Sequence, residues 1–285
     1  MPNYARFFNR TETIVIEQNK QQPMDGDRKR RYVVSRRVDG FFTIFSDVTS
    51  FIGRFFKELF RRPLEWNEFI KQCYEIGYRS LALITMTAFI TGVVFTKQSR
   101  PSLSEFGAQS WLPSLVAIAV IKSLAPLVTA LISAGKVGSG IGAELGSMRV
   151  TEQIDAMEVS ATNPFKFLVN TRIGATTLMM PALMLFSAFV SMMGSFMDIY
   201  LNEQTSFTTF LQQAFSKITF LDYASSIFRS LVFGFTIGAV GCYKGFHASG
   251  GTQGVGRAAN AAVVVSMFLI FIEEMLILQI INTFR

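Results

Sequence analysis

Four charged residues stand inside runs that are otherwise uncharged and apolar: Lys122, Arg229, Glu273 and Glu274. An ionised side chain in such surroundings is costly unless it faces a protein interior or a wet cavity and meets a partner of opposite sign. Two cations and two carboxylates can neutralise each other, line a polar cavity or relay an ion. No nucleophile–base pair for hydrolysis stands out beside them, so the chain alone is expected to catalyse nothing. The glycine run "GGTQGVG" (Gly250–Gly256) lacks the Lys-Ser/Thr ending of a phosphate loop and follows no strand; it is read as a tight turn. His247, the single histidine, is read as a surface residue of that turn. Cys73 and Cys242 have no partner at metal-ligand or redox spacing, so free thiols, no metal and no cofactor on the chain are expected.

The elements that carry these charges are set by composition. Half of the 285 residues are hydrophobic and 29 are Phe. The mean hydropathy of +0.35 is too high for an ordinary soluble domain of this length. Apolar runs predict five membrane spans, at about 79–97, 111–135, 173–197, 223–243 and 258–281. Each approaches the roughly 20 residues that cross a bilayer. The expected fold is an all-α integral membrane protein. Pro126 and Pro181 predict kinks in the second and third spans. Gly135, Gly138, Gly140, Gly142 and Gly146 predict close helix approach at one end of the second span. At 1.5 Å per residue, Lys122 lies about 16 Å from the start of its span, Arg229 about 9 Å from the start of its own, and Glu274 about 10 Å from the end of the last. All four charges then fall in one half of the membrane, and a cluster joining Lys122 or Arg229 to Glu273 or Glu274 is expected. Snorkelling to the surface is the alternative, easier for Arg229 than for Lys122.

Loop charge sets the orientation. Lys and Arg number four in 136–172 and two in 244–257, against two in 97–110 and one in 198–222. The positive-inside rule places the richer side, and with it the N-terminus, in the cytosol, and five crossings put the C-terminus outside. Residues 1–38 read as a polar, basic cytosolic tail with no secretory signal; its run Arg28-Lys29-Arg30-Arg31 suits solvent or lipid headgroups better than nucleic acid. Residues 40–62 mix Phe and charge at helical spacing, which predicts an amphipathic helix in the membrane interface, ended by Pro63.

One charged stretch, "ELGSMRVTEQIDAMEV" (Glu144–Val159), falls between two of the most apolar regions and on the cytosolic side. Thr151 is expected to cap a short helix with Glu152 and Asp155 in its first turn, where the helix dipole favours acids. Val150, Ile154, Met157 and Ala161 share one face, with Glu152 and Asp155 opposite; Pro164 is expected to stop the helix. Such a helix suits a transporter driven from the cytosol by a separate motor; a solvated loop helix is the plainer alternative.

The block "GKVGSGIGAELGSMRVTEQIDAMEVSATNPFKFLVNTR" (Gly135–Arg172) strongly resembles the MlaE/YrbE family, the permease subunits of ABC transporters that work with MCE-domain proteins. "FITGVVFTKQ" (Phe89–Gln98) is similar to the end of that family's first span, and "GCYKGFHASGGTQGVGRAANAAVVVS" (Gly241–Ser266) to its last cytosolic loop and following span. The resemblance covers roughly residues 40–285 and gives a division into a tail, 1–38, and a permease domain, 39–285. It implies that the helix at Thr151–Glu158 docks on the ATPase, with Glu144, Arg149, Thr151, Glu152, Gln153, Asp155 and Glu158 as coupling residues. It further implies a homodimer in the bacterial inner membrane, ATPase subunits that use ATP and Mg, a periplasmic MCE-domain partner and a phospholipid cargo. Val94, Phe95 and Gln98 would line a lipid cavity, because the matching family segment does. Where relatives often carry an Arg-Glu pair, this chain has Lys122-Ser123, so a charge network of the family would be rewired here. Another hydrophobic cargo such as a sterol, a secondary transporter that relays ions through the buried charges, and a non-transporting scaffold are the competing readings.

Overall fold

The computed structural model describes residues 32–59 and 65–283, and among them every regular element is helical. Five helices are long and apolar enough to cross a membrane: α2 (Trp66–Glu105), α3 (Gln109–Val150), α5 (Phe165–Glu203), α7 (Phe220–Phe246) and α8, whose spanning part is Gly251–Ile281. They are accompanied by α1 (Tyr32–Leu59), α4 (Gln153–Val159) and α6 (Phe207–Phe215). The chain is an all-α, multi-pass membrane protein. It divides into two units, Met1–Phe51 and Ile52–Arg285. In the first, the described residues are helical from Tyr32, earlier than the expected start at Gly40. Pro63 and residues 1–31 lie outside the described residues.

The spans are longer than the uncharged runs that announce them, because each helix continues past its apolar centre into charged ends. The expected inside loop 136–172 is therefore mostly helix: α3 runs to Val150 and α5 starts at Phe165. Likewise α8 opens at Gly251, so "GGTQGVG" is largely its first turns. Only Gly250 and Gly251, at φ +89° and +67°, form the turn expected of the whole run. Hydroxyls inside the spans bond back to the preceding turn, as Thr85 does to Leu81 O and Thr96 to Gly92 O, which satisfies them without water.

Small residues bring the helices together. On α2, Ala88, Gly92 and Thr96 form one buried row at four-residue spacing. It lies against Ser191, Gly194 and Ser195 of α5, where Ser191 Oγ donates to Ala88 O at 2.8 Å and Ser195 Oγ to Gly92 O at 3.1 Å. In a bilayer, where lipid tails compete for every apolar contact, such close packing and interhelical hydrogen bonding drive association. Of the five glycines expected to allow close approach on α3, Gly142 and Gly146 abut Ala259 and Val255 of α8, whereas Gly140 meets nothing nearby. Helix α3 packs on α7 and α8, and α5 joins α2 to α7. The α4 end of the bundle thus holds the α3–α5 and α7–α8 connections, and the opposite end holds the α2–α3 and α5–α7 connections. Large apolar side chains such as Met86, Ile90, Phe189, Phe228 and Phe268 stay exposed on the outside, as a lipid-facing surface requires.

Pro126 acts on α3 in a specific way. Proline has no N–H, so the helix carbonyl four residues earlier, that of Lys122, loses its donor. Just before it, Val120–Leu124 widens into a π-type turn, and the Ala125 N–H bonds Val120 O rather than Ile121 O. Two carbonyls are released in consequence, and α7 meets both: Ser226 Oγ donates to Ile121 O and Arg229 Nη1 to Lys122 O, each at 2.7 Å. The kink expected at Pro126 is a docking point for α7. Pro181, by contrast, sits inside the uninterrupted helix Thr171–Glu203.

Candidate functional site

Two groups of charged residues occupy opposite ends of the bundle. At the α4 end, α3 ends at Val150 and the chain turns sharply through Glu152, which holds a left-handed conformation at φ 59°. Thr151 is not the cap. Its hydroxyl donates back to Ser147 O at 2.8 Å, a carbonyl that also accepts the Thr151 N–H at 3.0 Å, and Glu152 takes the cap position with no side-chain capping bond. Helix α4 ends at Val159, well before Pro164, which opens α5 instead, where its fixed φ suits a helix start. A second left-handed residue, Ala161, turns the chain back. Non-glycine residues adopt this conformation rarely and at a cost, so both turns hold α4 at a set angle.

Only Ile154 of α4 is fully buried; Met157 is half-buried, and Glu152, Gln153, Asp155, Glu158 and Val159 are exposed. Val159 is 90% exposed, an apolar tip beside three acids. Arg149 Nη1 bonds Asp155 Oδ1 at 2.5 Å and braces α4 on the end of α3. That pair is open to solvent, so Asp155→Ala is expected to change stability by about 1 kcal/mol or less in a melting experiment.

Glu144 belongs to a different contact. Although contiguous in sequence with the others, it points from α3 to the first turns of α5, where its Oε1 accepts from Arg172 Nη2 at 2.7 Å. Arg172 is 2% exposed and also donates to Leu168 O at 3.0 Å. The pair ties the helix that leads into α4 to the helix that leads out of it. Arg172 was visible in the sequence only as the close of the Gly135–Arg172 block, and Glu144 sits across from it because α3 continues about four turns beyond the expected span.

At the opposite end, α3, α7 and α8 share a charge network. Arg229, 3% exposed, bonds Glu274 Oε1 at 2.9 Å while it holds Lys122 O. Glu273 Oε1 accepts from Thr236 Oγ1 at 2.5 Å. Lys122 itself does not join the glutamates: its Nζ pairs with Asp222 Oδ1 at 2.8 Å. Asp222 also accepts from the Thr219 N–H at 3.0 Å and hydroxyl at 2.9 Å, closing the first turn of α7. Asp222 escaped the sequence reading because it was counted with the loop; it lies two turns before Arg229 on the same helix. A further triad missed for the same reason, Arg100 with Asp198 at 2.5 Å and with Glu203 at 3.4 Å, ties the end of α2 to the end of α5. Charge reversal should distinguish the pairs: Lys122→Asp is expected to be rescued by Asp222→Lys and not by Glu274→Lys, read as recovery of monodisperse, folded protein in detergent.

The expected cavity residues divide. Val94 and Gln98 lie one turn apart on the exposed side of α2, whereas Phe95 turns inward and packs on the buried cluster that holds Leu112, Val116 and Met192.

The chain thus has five spans, ion pairs buried among three of them, and a short exposed helix held between two. Residues 69–280 match the family described as Permease MlaE. The chain is 36% identical over 242 residues to a probable ABC transporter permease protein of Rickettsia prowazekii (strain Madrid E), covering 85% of this chain and 91% of that one. It is 35% identical over 225 residues to a probable ABC transporter permease protein of Synechocystis sp., covering 78% and 84%. A further such protein, of Pyropia yezoensis, is 32% identical over 229 residues, covering 79% and 87%. The chain belongs to the MlaE permease family of ABC transporters.

Proposed function

We propose that the chain works as two copies in a bacterial inner membrane, moving phospholipid between that membrane and a periplasmic MCE-domain protein. ATP is hydrolysed by a separate ATPase that grips α4. On this reading the N-terminus and α4 face the cytosol and the C-terminus faces the periplasm, as the loop charges favour. The observation that carries the proposal is α4 itself: a short helix fixed by Ile154, turned at both ends by left-handed residues and offering Glu152, Gln153, Asp155, Glu158 and Val159 to a partner. Three acids around one apolar tip suit a basic-rimmed apolar cleft. Because Glu144 and Arg172 join the entering and leaving helices, a push on α4 would pass directly into α3 and α5. Glu144 then acts as a brace and Arg149 as a strut, with the contact itself made by the exposed residues of α4. The charge pairs at the other end would hold α3, α7 and α8 as one body while Val94 and Gln98 face the cargo path.

Purification of the tagged chain from its own cells tests this reading. The wild type is expected to bring down an ATPase that hydrolyses ATP. Glu152→Lys/Asp155→Lys is expected to lose it while keeping its melting temperature and elution volume. A folded wild type that comes down alone, without ATP hydrolysis, would overturn the proposal.

A further inference from the structure

Two cavities of unlike chemistry meet at Lys136. One, of about 440 Å³, lies between the first turns of α2 and the α4 end of α3, where Lys71, Glu75 and Arg79 face Lys136 and Glu144. The other, of about 530 Å³, is an aliphatic trough formed by Leu83 of α2, Leu131, Ile132 and Gly135 of α3 and Met267 of α8, and Lys136 lines it too. Both fall in the size range of small-ligand sites. Gly140 borders the charged cavity and leaves it room, since nothing lies within 4 Å of where its Cβ would stand. The charges there do not cancel. Glu75 Oε2 is taken by Arg79 Nη1 at 2.7 Å, and Glu144 Oε1 by Arg172 Nη2 at 2.7 Å. Lys136 Nζ donates to a backbone carbonyl, that of Arg79, and among the described residues no carboxylate pairs with it. Lys71 is held loosely, 3.8 Å from Glu68, on a mostly exposed side chain.

We infer that the two cavities form one site for a phospholipid of net negative charge, with its phosphate on Lys136 and an acyl chain in the trough. The trough accepts hydrocarbon and nothing charged. The charged cavity holds one unmatched ammonium, which a phosphodiester neutralises one for one, and Lys71 can swing to a second phosphate oxygen. A zwitterionic headgroup fits worse, because its ammonium would find both carboxylates already paired and Arg79 and Lys71 nearby. The depth agrees with this occupant. Arg79 stands immediately before the uncharged run 80–96, and Lys136 immediately after the apolar stretch that ends at Gly135. Both therefore mark the level where hydrocarbon gives way to headgroups, and basic pockets between helices at that level suit acidic lipids. A free phosphate would fill the charged cavity and leave the trough empty, so the continuity of the two favours the lipid. The site lies at the other end of the bundle from the charge network of α3, α7 and α8, and it uses neither Val94 nor Gln98. It requires neither an ATPase nor a particular cargo.

Native mass spectrometry of the full chain tests this. The delipidated protein in detergent is titrated with phosphatidylglycerol and phosphatidylcholine of the same acyl chains. Phosphatidylglycerol is expected to be retained at about tenfold lower concentration, the weight of one charge-assisted hydrogen bond. Lys136→Gln keeps a donor for Arg79 O but no charge, and is expected to erase the preference, whereas Lys136→Arg keeps it. Gly140→Trp, which fills the charged cavity, is expected to lose the bound lipid while elution volume and melting temperature stay near those of the wild type. Inorganic phosphate is expected not to displace the lipid. Equal retention of the two lipids by the wild type would overturn the inference, and so would a preference that survives Lys136→Gln. Displacement by inorganic phosphate at matching concentration would assign the charged cavity to a soluble anion instead. A chain that retains neither lipid, because a second copy covers the trough, would overturn it as well.

Discussion

Replacing Glu274 by Leu is expected to lower stability by about 3–5 kcal/mol, the cost of stranding one member of a buried ion pair. The melting midpoint in detergent should fall by roughly 10 °C for a chain of this size. Both partners are almost fully buried, so the Arg229 guanidinium left behind has neither water nor another carboxylate bonded to it. Arg229→Leu is expected to be at least as harmful, because Arg229 also supplies the hydrogen bond that Lys122 O lost to Pro126. The double variant Arg229→Leu/Glu274→Leu separates the two effects. It removes both charges but still leaves that carbonyl bare, so a residual loss of about 1–3 kcal/mol should remain. Adding Pro126→Ala restores an N–H four residues along α3 and should recover most of the remainder. If the double variant is no more stable than either single one, the pair does not carry the energy assigned to it.

Gly92→Leu is expected to cost about 3 kcal/mol or more, the upper range of overpacking. A Cβ at this position would run into the Ser191 carbonyl of α5, which is backbone and cannot swing aside. The α2 and α5 helices would have to part, taking with them the hydrogen bonds from Ser191 to Ala88 O and from Ser195 to Gly92 O. Gly194 faces the same contact from the other side, where a Cβ would lie 2.6 Å from Phe89 O, so Gly194→Leu should behave alike. Gly140 provides the control: nothing lies near it, and Gly140→Ala is expected to hold or gain up to about 1 kcal/mol of helix propensity. Melting curves of the three variants decide the point. Equal loss at Gly92 and Gly140 would mean that helix approach is not what limits substitution.

The five spans were legible because a bilayer imposes a long apolar run on each, and that signal needs no knowledge of neighbours. Their ends were not legible, since a helix does not stop where its charges begin, and α3 carries Glu144 and Arg149 well past its apolar part. That extension also explains the regrouping of Glu144: adjacency in sequence put it with the acids of α4, while helical rotation put it opposite Arg172. The amphipathic helix α6 was hidden in a presumed loop, although Ser206 accepts from the Thr209 N–H as a cap should and Phe210 is fully buried. Pro126 announced a disturbance in α3, but only the fold reveals that α7 answers it with Ser226 and Arg229. Partner choice among charges is the least legible property, because Lys122 had carboxylates available in two directions and took the one in the first turn of α7.

The most direct test of the account is ATP-dependent movement of phospholipid by the purified complex in proteoliposomes, with and without the acids of α4. The account predicts transfer of labelled lipid that requires ATP and that Glu152→Lys/Asp155→Lys abolishes while the folded bundle persists. Transfer that proceeds without ATP, or that an ion gradient drives equally well in the α4 variant, would contradict it.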